Sequence, residues 1–255
     1  MNSDNLQSRK GLLVRVGIDS IYGKWNSPVN VDTGEFVYIP IPENDKFEFK
    51  PGLAIKFNYF SDYLNSFSIS NNFSNTSKIE LPEHLNGKNM HLDPDFSHLT
   101  YGDNGKRRGK TLKDVFNRGD FVVFYAGLRP IQKFSCPLYY AIIGFYQIQK
   151  VVEAKDVKDE DSYLNAHTRK KNPEPSDVIV FAEPAYSGRL NNAVLIGEYR
   201  NGAYRIKSDL LEKWGGISAK NGFIQRSAVP PRFCNPDKFL TWFNKQDIQL
   251  IACNN

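Results

Sequence analysis

Apolar residues fall in short dense runs separated by polar stretches rich in Gly and Pro, the pattern of a chain built around a sheet. Residues 11–18 carry Leu12, Leu13, Val14, Val16 and Ile18 almost without interruption, which predicts a strand buried on both faces. The run ends at Asp19 and Ser20, and Tyr22, Gly23, Trp25, Asn26 and Pro28 predict an irregular loop beyond it. In open α/β sheets ligands bind at such carboxyl ends of strands. Residues 35–41 predict a second strand, bounded by Pro40 and Pro42. The strongest patterns are residues 120–126 and 138–152, compatible with an antiparallel pair but joined by too long a connection for a tight hairpin. Residues 177–181 and 193–196 predict two further short strands.

Helical patterns cover residues 111–117, 154–165, 208–214 and 235–246. Ser208 and Asn235 suit N-caps, Pro236 suits a first helical position, and Gly215-Gly216 supplies a stop. Between 61 and 77, ten of seventeen residues are Ser or Asn. Core-like patterns resume afterwards, so 61–80 predicts a surface insertion and not a linker. The sum is a single α/β domain over 1–255, with a mixed central sheet, flanking helices and long functional loops.

With 40% hydrophobic and 24% charged residues, the chain has material for a core, which excludes global disorder. No apolar run approaches a membrane span, and residues 1–10 lack a signal-peptide hydrophobic region. A soluble cytoplasmic protein is expected. Cys136, Cys234 and Cys253 are far apart and form no CxxC pair, which argues against a disulfide framework and structural zinc. The net charge of +5 matters through its clustering. Lys106, Arg107, Arg108 and Lys110 form one run and Arg169, Lys170 and Lys171 another.

Several chemistries lose support because their motifs are absent: the GxxxxGK[ST] and GxGxxG loops, HExxH, GxSxG and the zinc-deaminase pair. Two segments carry candidate acids. Asp19, beside Tyr22 at a strand exit, could orient a water or stabilise a cationic sugar. Its loop, Gly17-Ile18-Asp19-Ser20-Ile21-Tyr22-Gly23, resembles the water-activating loop of uracil-DNA glycosylases, with Ser20 replacing a proline, Ile21 a tyrosine and Tyr22 the histidine. The second segment, His91-Leu92-Asp93-Pro94-Asp95-Phe96, precedes His98 and Tyr101 and could hold a metal or act as acid and base.

Asp19 is thus the first catalytic candidate, with Asp95, Asp93 and Asn26 after it. Tyr22, Trp25, His91 and Tyr101 are the candidates to enclose a base. Lys106, Arg107, Arg108, Arg169, Arg189 and Arg226 are the candidates for phosphate contacts. Neither a cofactor nor a metal is expected, although His91, Asp93 and Asp95 would be the ligands of a metal-dependent alternative.

The segments VGIDSIYGKWNSPV with Glu35-Phe36-Val37-Tyr38, HLDPDFSHLTYGD, Arg107-Arg108-Gly109, GDFVVFYAGLRP, YYAIIGFY, AHTRKK, SGRLNNAVLIGEYR and Leu211-Glu212-Lys213-Trp214-Gly215-Gly216 together resemble the nucleotide modification associated domain 3 family over nearly the full chain. That resemblance implies a place among phage and bacterial systems that install, read or remove modified DNA bases. The leading expectation is a DNA glycosylase that flips out and excises a modified base, from phage DNA in an anti-phage setting. The alternatives are a non-catalytic reader, since residues 119–125 with YYAIIGFY are similar to the strand pair of PUA-like readers, and a base-modifying transferase or nuclease. DNA carrying modified bases is the expected partner, with no membrane.

Overall fold

A computed structural model describes residues 9–73, 78–104, 108–225 and 229–255, with the side chains of Arg108 and Val115 excepted. Strand β1 (Gly11–Arg15) is shorter than the pattern predicts. Gly17, at a φ of 79°, turns the chain out of the sheet in a conformation other residues adopt at a cost, and so begins the loop bearing Asp19 and Tyr22. After β2 (Pro28–Val29), the strand expected at 35–41 is buried extended chain with one bridge, from Phe36 to Val29. Pro40 and Pro42 lack amide donors for a ladder; only β3 (Ile41–Pro42) pairs, with β4 (Met90–His91).

The predicted surface insertion is largely helix α1 (Ser61–Ser70), which buries Leu64 and Phe67. Spaced three apart, they form one apolar stripe within a polar composition. Strand β5 (Thr100–Asn104) and helix α2 (Arg108–Val115) follow, then β6 (Phe121–Pro130) and β7 (Tyr139–Glu153), which pair antiparallel. The helix expected at 154–165 is instead two 3₁₀ segments, Ala154–Asp156 and Asp159–Leu164, leading into the short helix α3 (Ala166–Arg169). Its acidic stretch has no apolar stripe to bury against the sheet.

The rest comprises β8 (Asp177–Ala182), β9 (Gly188–Leu195), β10 (Gly197–Arg200), β11 (Ala203–Ile206), α4 (Ser208–Trp214), α5 (Pro236–Phe243) and β12 (Leu250–Ile251). Asn235 caps α5 by accepting from the Lys238 amide. Gly215 ends α4 in the left-handed region.

The main sheet is mixed and runs β1-β6-β7-β8-β5, with β2 beside β6 and β9 and β12 continuing from β7. β1 and β2 lie parallel to β6, and the remaining pairs are antiparallel. Along β6, Val122, Phe124, Ala126 and Leu128 enter one core while Phe121, Val123 and Tyr125 enter the other, as period-two alternation requires. The first core holds a cluster of rings, Phe96, Tyr101, Phe124 and Tyr146. The second packs Phe121 and Phe145 against Trp214 of α4 and Phe239 and Phe243 of α5. Among the described residues no helix is long and apolar enough to cross a membrane.

Candidate active site

A cleft of about 560 Å³ is lined both by Arg15 to Gly17, at the end of β1, and by Tyr101 to Asn104 of β5. These strands are the two ends of the sheet path, so the sheet curls until its edges face each other across the cleft. The volume suits a nucleoside-sized ligand. A roomier groove of about 940 Å³ lies against α4 and α5, lined by lysines, acids and Trp242 without any histidine.

Within the first cleft, His91, Asp93 and His167 converge. His91 ends β4, and Asp93 follows two residues later, so extended chain puts both on one side. His167 comes from α3, whose first turn is capped by the buried Asn165: its Oδ1 accepts from the His167 amide at 2.9 Å. The Asn165 amide also donates to Asp93 Oδ1 at 3.0 Å, and Gly102 N donates to the same oxygen at 2.8 Å. Gly102 is glycine for a reason of space. A Cβ there would lie 2.3 Å from His167 Cδ2 and 2.6 Å from Asn165 Oδ1.

Each imidazole is held from behind. His91 Nδ1 lies 2.8 Å from Glu43 Oε2, and His167 Nδ1 lies 2.8 Å from Asp177 Oδ2. Carboxylate partners require those nitrogens to carry the hydrogens, which leaves both Nε2 atoms to face the cleft. Each Nε2 stands 3.9 Å from Asp93 Oδ2, beyond hydrogen-bond length. The ligand atoms of the three residues all lie within 4.8 Å of one another, a spacing at which they could hold a divalent ion.

Burial raises the Asp93 carboxyl to about 6, against the lowering influence of His167, His91 and its two hydrogen bonds. Burial works against a charged His167, but the hydrogen bond to Asp177 and the charges of Asp93 and Asp177 outweigh it and hold the group above the ordinary histidine value. Burial also raises Glu43, and the hydrogen bond and charge of His91 more than offset it, leaving the carboxyl below its usual range. Asp93 and His167 thus face each other across the cleft, the carboxyl raised by burial and the imidazole raised by its acidic neighbours.

The other expected residues are placed differently. Asp19 lines the cleft with Tyr22, but Asp19 Oδ1 accepts from the Ile21 and Tyr22 amides, both at 2.7 Å, and Oδ2 pairs with Arg15 at 3.0 Å. Its carboxylate shapes the turn. Tyr22 is 60% exposed at the mouth, and Tyr101 forms part of the wall, its hydroxyl donating to Asp103 at 2.6 Å. Asn26 donates to the Gly127 carbonyl, and Trp25 packs half-buried under Arg129. Both fasten the loop.

Asp95 is enclosed by cations and amides. It is fully buried, and its Oδ2 receives Arg169 at 2.5 Å and His98 at 2.9 Å, with the Asn254 amide on Oδ1. Arg169 is therefore inaccessible to phosphate. Lys170 is buried over the Phe47 ring, and Lys171 pairs with Glu48. Arg189 is also buried, donating to the carbonyls of Leu190 and Cys253 beside Phe36. Lys106, Arg107 and Arg226 lie outside the described residues, as does the Arg108 side chain.

His167 was missed as a site residue by sequence reasoning, which looked for a metal partner next to Asp93 and grouped Asp95 with it. A signal exists: the chain has only four histidines, and His167 sits between a capping Asn and an acid ten residues on.

No curated protein and no solved structure matches the chain. The sequence profile of nucleotide modification associated domain 3 matches residues 10–220, a span that contains every residue of the His91, Asp93 and His167 centre and of its supports. The chain belongs to the nucleotide modification associated domain 3 family.

Proposed function

We propose that this protein is a DNA glycosylase acting on modified bases, with His91, Asp93 and His167 as its reaction centre. The observation that carries this reading is geometric: the Asp93 carboxyl stands between two imidazoles in a cleft of about 560 Å³, with Oδ1 held by Asn165 and Gly102, and burial pushes it up to about 6. Family membership supports a setting of nucleotide modification, and Tyr22 and Tyr101 supply ring surface for an extruded base.

In the reaction, ionised Asp93 takes a proton from a water placed against the sugar. The hydroxide joins C1′, the bond from C1′ to the base nitrogen breaks, and the proton passes to that nitrogen. A carboxyl with a pKa near 6 suits both halves of this relay. Asp19 orders the turn that presents Tyr22 and contributes position only. The Asp19 and Asp103 carboxylates already accept from Ile21, Tyr22, Arg15, Tyr101 and Asn104, so the Tyr22 and Tyr101 rings are left to contact the base.

The test is incubation with DNAs bearing different base modifications, followed by alkali. Strand breaks appearing only after alkali, and lost in Asp93→Asn, are expected. Breaks before alkali would indicate a nuclease, and retention of DNA without any breaks would indicate a reader. Either outcome overturns the proposal.

A further inference from the structure

We infer that His91 Nε2, His167 Nε2 and Asp93 Oδ2 form a binding site for one divalent transition-metal ion. The inference stands on geometry alone and holds whatever reaction the cleft performs.

The three atoms come from two distant segments of the chain, 91–93 and α3, and share one small volume, within 4.8 Å of one another. Ligands of a tetrahedral ion lie about 3.4 Å apart, given bonds of roughly 2.1 Å. Closing the set around an ion takes a contraction of about half an ångström in the two 3.9 Å separations and of up to about 1.4 Å between the two imidazoles, which lie within 4.8 Å of each other. Both imidazoles are already oriented for ligation, because Glu43 and Asp177 fix the hydrogens on Nδ1. A carboxylate behind each ligating histidine is the usual support of such a site. Asp93 is prepared in the same way: Asn165 and Gly102 occupy Oδ1, which leaves Oδ2 for the ion.

The donor set selects the class of metal. Two imidazoles and one carboxylate suit Zn²⁺, Fe²⁺ or Co²⁺, whereas Mg²⁺ and Ca²⁺ prefer all-oxygen shells. Three protein ligands leave positions open toward the cleft, where a water or a substrate oxygen would bind. Binding displaces any proton from His167 Nε2. With Oδ2 on the ion, Asp93 would give up its role as base, and a water on the ion, more acidic than free water, would supply the nucleophile.

The test uses the full-length protein, stripped with chelator and then titrated with Zn²⁺, Co²⁺ and Mg²⁺ by calorimetry, with the Co²⁺ visible spectrum recorded. One equivalent of Zn²⁺ or Co²⁺ is expected, at least about 100-fold tighter than Mg²⁺. Asp93→Asn and His167→Ala should abolish this binding. Glu43→Gln, which removes no ligand, should weaken it about 10- to 100-fold and so reports on the site even where a ligand variant fails to fold. Absence of a stoichiometric wild-type site, or binding unchanged in both Asp93→Asn and Glu43→Gln, would overturn the inference. Metal binding without base release would uphold the site and remove the glycosylase reading. Base release that is undiminished in chelator, with no stoichiometric binding, would do the reverse.

Discussion

Three aspartates illustrate how environment, and not residue type, assigns roles. Asp93 has one oxygen held and one facing the cleft, Asp19 has both oxygens in a turn and an ion pair, and Asp95 is wholly enclosed by Arg169, His98 and Asn254. Asp19→Asn is accordingly expected to reduce base release only several-fold, against a loss of at least about 100-fold for Asp93→Asn, measured as initial rates on the same modified DNA. Asp95→Ala leaves the Arg169 guanidinium buried and unpaired and should cost about 3–5 kcal/mol in urea denaturation. Burial raises the Asp95 carboxyl, but His98 and Arg169 outweigh it and hold it below its usual value. Its contribution to stability is therefore complete above the ordinary carboxylate range and fades as pH falls through the lower folded value. The gap between wild type and Asp95→Ala should narrow on acidification below about pH 4. Gly102→Ala pushes a methyl into His167 and Asn165. It should lower stability by about 1–3 kcal/mol and activity by more than tenfold, read together by thermal melting and base release.

At the scale of elements, α3 is a four-residue helix whose cap does two jobs, since Asn165 both accepts from the His167 amide and donates to Asp93. Asn165→Asp keeps the capping oxygen but sets a carboxylate against the Asp93 carboxyl. The expected outcome is a raised Asp93 pKa, seen as a shift of the activity profile to higher pH, with little change in the circular dichroism spectrum. Legibility in the sequence follows the same division. Strands β6 and β7 are readable from their apolar pattern, α5 from its Asn235 cap and α4 from its Gly215 stop, although the N-cap position of α4 falls on Lys207 and not on Ser208, without a side-chain cap. The 3₁₀ segments before α3 and the helix in the Ser- and Asn-rich stretch are not readable, because packing against the sheet decides them. His91 and Asp93 stand out in the sequence as members of one segment of acids and histidines, together with Asp95. Their partner does not, since β8 and α3 deliver Asp177 and His167 through contacts between distant parts of the chain.

At the scale of the molecule, curling of the sheet makes the site. Arg15 ends β1 and Asp19 follows it, while Gly102 and Asp103 belong to β5, and these strands end a five-strand path before meeting at one cleft. The second core, with Trp214, Phe239 and Phe243, packs against the sheet. Phe239→Ala should cost about 3–5 kcal/mol in chemical denaturation without touching any cleft residue. The central claim, that the His91, Asp93 and His167 centre releases a modified base, is tested most directly by mass spectrometry of the small molecules freed from modified phage DNA. The account predicts free modified base in numbers equal to the abasic sites formed, with neither product from Asp93→Asn. Abasic sites and free base in undiminished yield from Asp93→Asn, or no free base from the wild type on any modified DNA, would contradict it.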